Sequence, residues 1–181
     1  MKNIKKRIIS ITAITTMLCT LISPAFASVP NTSNDGLPDS FYLQDILDNP
    51  ESYFIPEPKV EKSILQFSGE SRATTYTSTL DLSNGDLRYG LARSYDAGIF
   101  STKLYNFDFD PTYNSGTLTV GLYKPLGDGF YNIIEKTKGS LLPSTVSRSF
   151  ILGSHAADSY CFGYATDNTL AFECSVDMMS K

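Results

Sequence analysis

His155 is the one histidine in the 181-residue chain, and it sits between Ser154 and Asp158. Hydroxyl, imidazole and carboxylate are the parts of a nucleophilic hydrolase, but they must converge through space, which close sequence neighbours rarely do. No Gly-x-Ser-x-Gly elbow accompanies them. His155 is therefore read as a polar loop residue, and no catalytic set is assigned. Asp108 and Asp110 alternate on one side of a strand-like run, with Asp128 and Glu135 further along. Paired carboxylates suit glycoside hydrolysis or calcium. The chain has no Trp and no aromatic platform identifiable as sugar-facing, which sets hydrolysis aside. The Gly and closing Glu of an EF-hand loop are missing too, so Asp108 and Asp110 remain only as candidate calcium ligands. Arg88, Tyr89, Arg93 and Tyr95 form a short Arg/Tyr cluster, the residue types that anchor recognition surfaces.

The cysteines suggest a crosslink. Cys19 falls in the amino-terminal apolar stretch, leaving Cys161 and Cys174 as an even pair. Two strand-like segments flank Asp167-Asn168, residues that tolerate tight turns. A two-residue loop there makes facing positions sum to 335, which places Cys161 opposite Cys174 in a closely spaced pair. A disulfide is the expectation for an exported chain.

These residues need strands to position them. From Tyr76 to Leu82 the period is two, with Tyr76, Ser78, Leu80 and Leu82 on one side. Asn84-Gly85 follows, a favoured hairpin dipeptide, and would pair Leu82 with Leu87 and Leu80 with Tyr89. Tyr105, Phe107 and Phe109 share a face in the next alternation, ended by Pro111 and a turn at Asn114-Ser115-Gly116. Leu118, Val120 and Leu122 mark another strand, and Gly127-Asp128-Gly129 turns it into the run from Phe130 to Ile134. Further strands are expected near 148–152, 160–165 and 170–176. About eight short strands imply an all-β domain over 72–181, an antiparallel β-sandwich or jelly roll, with a closed barrel as the rival.

Two segments precede that domain. Residues 1–27 have a basic head (Lys2 to Arg7), a mostly apolar stretch (Ile8 to Ile22) and Ala25-Phe26-Ala27 before Ser28. That layout is a removable signal peptide rather than a membrane anchor, since the apolar stretch is short and interrupted by Ser and Thr. Its lysine-rich head resembles Gram-positive export signals. Residues 28–71 form an acidic, proline-containing linker or pro-segment with eight acids against two bases. Ser40 would cap a short helix carrying Tyr42/Ile46 and Leu43/Leu47 pairs, and Asn49-Pro50 would end it. Val60, Ile64 and Phe67 fit either a helix or a strand.

Without residues 1–27 the chain carries eight more acids than bases, which argues against nucleic acid as a partner. No membrane span is expected after signal cleavage. The reading is an exported, non-enzymatic β-sandwich that binds a protein or glycan outside the cell, without a cofactor beyond possible calcium. An inhibitor or immunity-type partner of another exported protein is the alternative, and a secreted hydrolase is a third.

Overall fold

A computed structural model describes residues 36–59, 73–83, 85–112, 115–167 and 169–181. The signal-like segment 1–27, the second amphipathic piece at 60–67, Asn84, Asn114 and Asn168 lie outside the described residues. In chain order the elements are β1 (Ser40–Tyr42), α1 (Leu43–Leu47), a 3-10 turn (Pro50–Ser52), β2 (Tyr53–Phe54) and β3 (Glu57–Pro58). Then come β4 (Thr74–Leu82), β5 (Leu87–Gly90), β6 (Arg93–Tyr95), β7 (Gly98–Phe109) and β8 (Gly116–Gly127). The last four are β9 (Phe130–Leu141), β10 (Ser147–His155), β11 (Asp158–Thr166) and β12 (Phe172–Ser180). Two sheets pack face to face, one of them curled into a half-barrel, so the architecture is an all-β sandwich with a short helical lead-in. The seven-stranded sheet runs β1-β9-β8-β11-β5-β2, with β6 also on β11, and the five-stranded sheet runs β10-β7-β12-β4-β3. Among the described residues no helix is long and apolar enough to cross a membrane.

The core follows from alternation. In β11, Tyr160, Phe162 and Tyr164 point between the sheets, where they meet Phe100, Leu104, Leu80 and Val176 from the other sheet. The tyrosine hydroxyls this places in the core are satisfied: the Thr102 and Tyr164 hydroxyls lie 2.7 Å apart, and that of Tyr160 donates to the Ala156 carbonyl at 3.0 Å. Cys161, Gly163 and Ala165 of β11 face outward, yet they are buried as well. Cys161 packs with Ile46, Tyr89, Tyr123 and Tyr131 in a second apolar cluster. Gly163 and Gly121 are directly paired across β11 and β8. A Cβ on Gly163 would come within 2.8 Å of the Tyr123 ring, so that position must be bare, and one on Gly121 would press on the side-chain tips of Ile133 and Leu37.

Residues 37–58 cover this outward face. β1 adds to β9 at one edge, α1 crosses with Ile46 buried, and β2 pairs in parallel with β5 at the far edge. β3 then joins β4 in the other sheet. We call this segment the strap. The Tyr123 hydroxyl donates to the Pro38 carbonyl at 2.7 Å, and the Phe41 ring stacks on Tyr131 with centroids 4.8 Å apart. The stretch set apart in sequence as a lead-in thus supplies strands to both sheets. Its helix has no side-chain cap: Tyr42, in extended conformation, takes the N-cap position expected of Ser40, which lies in β1.

Three sequence expectations are corrected. First, β4 and β5 are not a hairpin. Ser83 and Asp86 close a turn (Asp86 N to Ser83 O, 3.0 Å), but the strands leave it for different sheets, so Leu82 does not face Leu87. Second, Cys161 and Cys174 are both free and buried, with no disulfide between them. β11 and β12 also separate into different sheets, which puts Cys161 under the strap and Cys174 between the sheets opposite Leu80. The hairpin register would have set exposed Glu173 beside buried Phe162; parting the strands lets Phe162 and Tyr164 face Phe172 and Val176 across the core. Asp167 secures the crossing, accepting from Thr117 N (2.8 Å), Thr169 N (3.1 Å) and Thr169 Oγ1 (2.7 Å). Third, Tyr105 does not share a face with Phe107 and Phe109. Asn106 adopts φ of 56°, and a β-bulge opposite Glu173–Ser175 shifts the alternation. Phe107 and Phe109 pack on the core while Tyr105 points outward.

Two expected outcomes follow from these contacts. Partial burial raises the Asp167 carboxyl, but the Thr169 and Thr117 hydrogen bonds outweigh it and hold its pKa below the ordinary value. Its stabilisation is therefore present at neutral pH and lost as pH falls through the lowered folded pKa. Asp167→Ala should cost on the order of 1 kcal/mol near neutral pH, after allowance for its exposure, with the difference from wild type closing in acid. Chemical denaturation across pH measures this, and a constant difference would contradict it. Burial also pushes both thiols above their ordinary pKa. In a chain beginning at Ser28 they should resist a thiol reagent at about pH 8 and both titrate on unfolding without reductant. Ile46→Asp should loosen the strap and expose Cys161 while Cys174 stays protected. Finding no free thiol after unfolding would contradict the separation.

Candidate functional site

Among the described residues, no strap crosses the outer face of the five-stranded sheet. Outward residues form cross-strand rows because β12 pairs with β4 on one side and β7 on the other. Ser175 lies between Thr79 and Tyr105, and Tyr105 is paired in turn with Ser147. The next row reads Thr77, Asp177, Lys103, Ser149, and the one beyond it Thr75, Met179, Ser101, Ile151. At the strap edge this face opens into a trough of about 590 Å3, lined by Glu57, Lys59, Thr77, Thr79, Tyr105 and Ser175 among others.

A buried carboxylate organises the trough. Asp177 is only 9% exposed at its side chain, where Lys59 Nζ donates to it at 3.1 Å and the Tyr105 hydroxyl at 3.2 Å. Lys103 Nζ lies 5.9 Å over the Tyr105 ring. Tyr105 is thus fixed at its hydroxyl while its ring remains partly open. Partial burial, then the Asp177 charge, push its pKa above the ordinary phenol value, so it stays a neutral donor.

A second concavity lies on the opposite side of the molecule, beneath the strap. It is a mostly apolar cavity of about 220 Å3, bounded by Phe41, Leu43, Ile46, Ala92, Arg93 and Tyr131 among others.

The residues singled out by sequence are dispersed. Arg88 pairs with Asp86 at 2.8 Å. Tyr89 is buried beneath the strap, where burial raises its pKa, whereas Tyr95 is buried between the sheets against Tyr76, Phe100 and Phe162. Arg93 lies at the sheet edge, with its guanidinium 6.0 Å over the Tyr76 ring. The break between β5 and β6 explains why Tyr89 and Tyr95, an even number of residues apart, face opposite ways. Asp108 stands beside Glu173, which stands beside Asp81, a row of like charges on an exposed surface. Asp110 accepts from Thr112 N and Oγ1 at 2.8 and 2.6 Å, and these bonds lower its pKa. Among the described residues no three such side chains are grouped to hold a metal ion. His155 ends β10, with Nε2 2.7 Å from the Leu152 carbonyl, and Asp158 is paired with Lys124 at 2.7 Å. Ser154, His155 and Asp158 are therefore not drawn into a relay.

Tyr105 is the trough residue that sequence reasoning missed, because alternation assigned it to the core. The only cue is Asn106, a residue type that tolerates positive φ. No protein-family model matches the chain, and no curated protein matches it.

Removing the Asp177 charge should lower the Tyr105 pKa toward that of free tyrosine. Ultraviolet titration of Asp177→Asn, with Tyr105→Phe subtracted from each background, measures the shift. An unchanged Tyr105 titration would contradict the pairing.

Proposed function

We propose that the protein is an exported, non-enzymatic binding module that holds a glycan on the outer face of the five-stranded sheet. The observation that carries this reading is the open row Thr79–Ser175–Tyr105–Ser147 beside the trough. Hydroxyls both donate and accept, which suits a ligand that is itself a lattice of hydroxyls. Tyr105 adds a ring whose face can lie on the apolar side of a sugar. A protein partner is less well suited, since interface centres favour clustered aromatics, Met and Arg over Ser, Thr and charge. Export is supported by the arrangement of residues 1–27, with a basic head, an apolar middle and small residues before Ser28. The alternative of an inhibitor using the lead-in as a docking arm has less support, because residues 40–58 are taken up in pairing with the chain's own sheets.

Binding of the protein from Ser28 onward to immobilised polysaccharides and to cell-wall glycan tests the reading. Tyr105→Ala and Thr79→Arg, one removing the ring and the other filling the trough, should each weaken binding about tenfold or more without lowering thermal stability appreciably. Absence of binding to any glycan, or binding indifferent to both substitutions, would refute it.

A further inference from the structure

We infer that the cavity beneath the strap binds a small carboxylic acid whose apolar body is the size of one ring or a short alkyl chain. The site is separate from the glycan face and does not depend on it. Size sets the first limit. The cavity is about 220 Å3. An apolar cavity of roughly 150 Å3 accepts benzene, so a single ring with one substituent fits. The lining sets the second limit. Phe41, Leu43 and Ile46 from the strap, with Ala92 from the connection between β5 and β6 and Tyr131 from β9, offer mainly carbon.

Charge sets the third. Of the described residues that line the cavity, only Arg93 is charged, and no carboxylate shares the lining with it. Its Nη2 donates to the Pro56 carbonyl at 3.1 Å, and its guanidinium lies 6.0 Å over the Tyr76 ring. These contacts anchor the group at the cavity wall. Its Nε is buried and has no acceptor among the described residues. A guanidinium on an apolar wall favours an anion, and a carboxylate is the acceptor that its fork matches best. A neutral apolar molecule would fill the volume but leave the Arg93 charge without a counter-ion among the described residues. An acid with an apolar body meets both demands, its ring or chain among Phe41, Ile46 and Tyr131 and its carboxylate toward Arg93.

The test uses the protein from Ser28 onward with 4-fluorobenzoate as probe and fluorobenzene as its uncharged counterpart, both followed by fluorine NMR. Wild type should bind 4-fluorobenzoate saturably at one site with Kd below about 1 mM, and more tightly than fluorobenzene. Fluorine–proton contacts should fall on Phe41, Ile46 and Tyr131. Arg93→Met, which keeps an unbranched apolar stem, should weaken the acid about tenfold or more and leave fluorobenzene nearly unchanged. Ala92→Leu, which fills the cavity, should weaken both. No saturable binding of 4-fluorobenzoate, contacts elsewhere on the protein, or the same response of both probes to Arg93→Met would overturn the inference. The wild-type contacts decide the location even if a variant fails to fold.

Discussion

The structure turns on a strand that is buried on both faces. Tyr160, Phe162 and Tyr164 of β11 need cover on one side, and Cys161, Gly163 and Ala165 on the other. A half-exposed antiparallel sheet normally alternates apolar and polar residues. β11 is apolar in both directions, so water must be excluded twice. The five-stranded sheet does this on the inner side. On the outer side the chain uses its own amino-terminal stretch, which runs from one edge of the sheet to the other and ends on the second sheet. Covering an apolar side chain this way is worth about 1.5–3 kcal/mol each, so the strap is a structural layer and not an appendage.

That demand also settles the connections. Where two consecutive strands each carry an apolar stripe, setting them side by side makes one wide apolar face, while setting them in opposite sheets makes a core. β4 with β5 and β11 with β12 both take the second course. The turn chemistry at Ser83–Asp86 and at Asp167–Thr169 is satisfied locally by carboxylate acceptors. Local turn geometry and global strand pairing are thus independent here. The two sulfurs are kept apart for the same reason, one in each apolar layer.

Strand positions were legible because period-two patterns are local: Leu80 and Leu82 in β4, Leu118, Val120 and Leu122 in β8, and Phe150 and Leu152 in β10 are all buried as alternation requires. The short helix was legible too, although of the expected pairs Tyr42/Ile46 and Leu43/Leu47 only Ile46 is buried, and so was the Gly127–Gly129 turn between β8 and β9. Sheet membership was not legible, since it depends on which stripes meet across the core. The odd sum of 335, which sets buried Phe162 beside exposed Glu173, was the available warning. Phase shifts were hidden as well. One bulge at Asn106 turns Tyr105 outward, and one break after Gly90 sends Tyr89 and Tyr95 to opposite faces. Both concavities depend on such irregularities or on the strap, which explains why composition and spacing alone did not assemble them.

Hydrogen–deuterium exchange over peptides spanning residues 40–58 and 158–166 tests the central claim most directly. If the strap is a layer of the fold, its amides in β1 and β2 exchange slowly in the intact protein, and Ile46→Asp speeds exchange in both the strap and β11. Complete exchange of 40–58 at the earliest time point, with 158–166 still protected, would contradict the account.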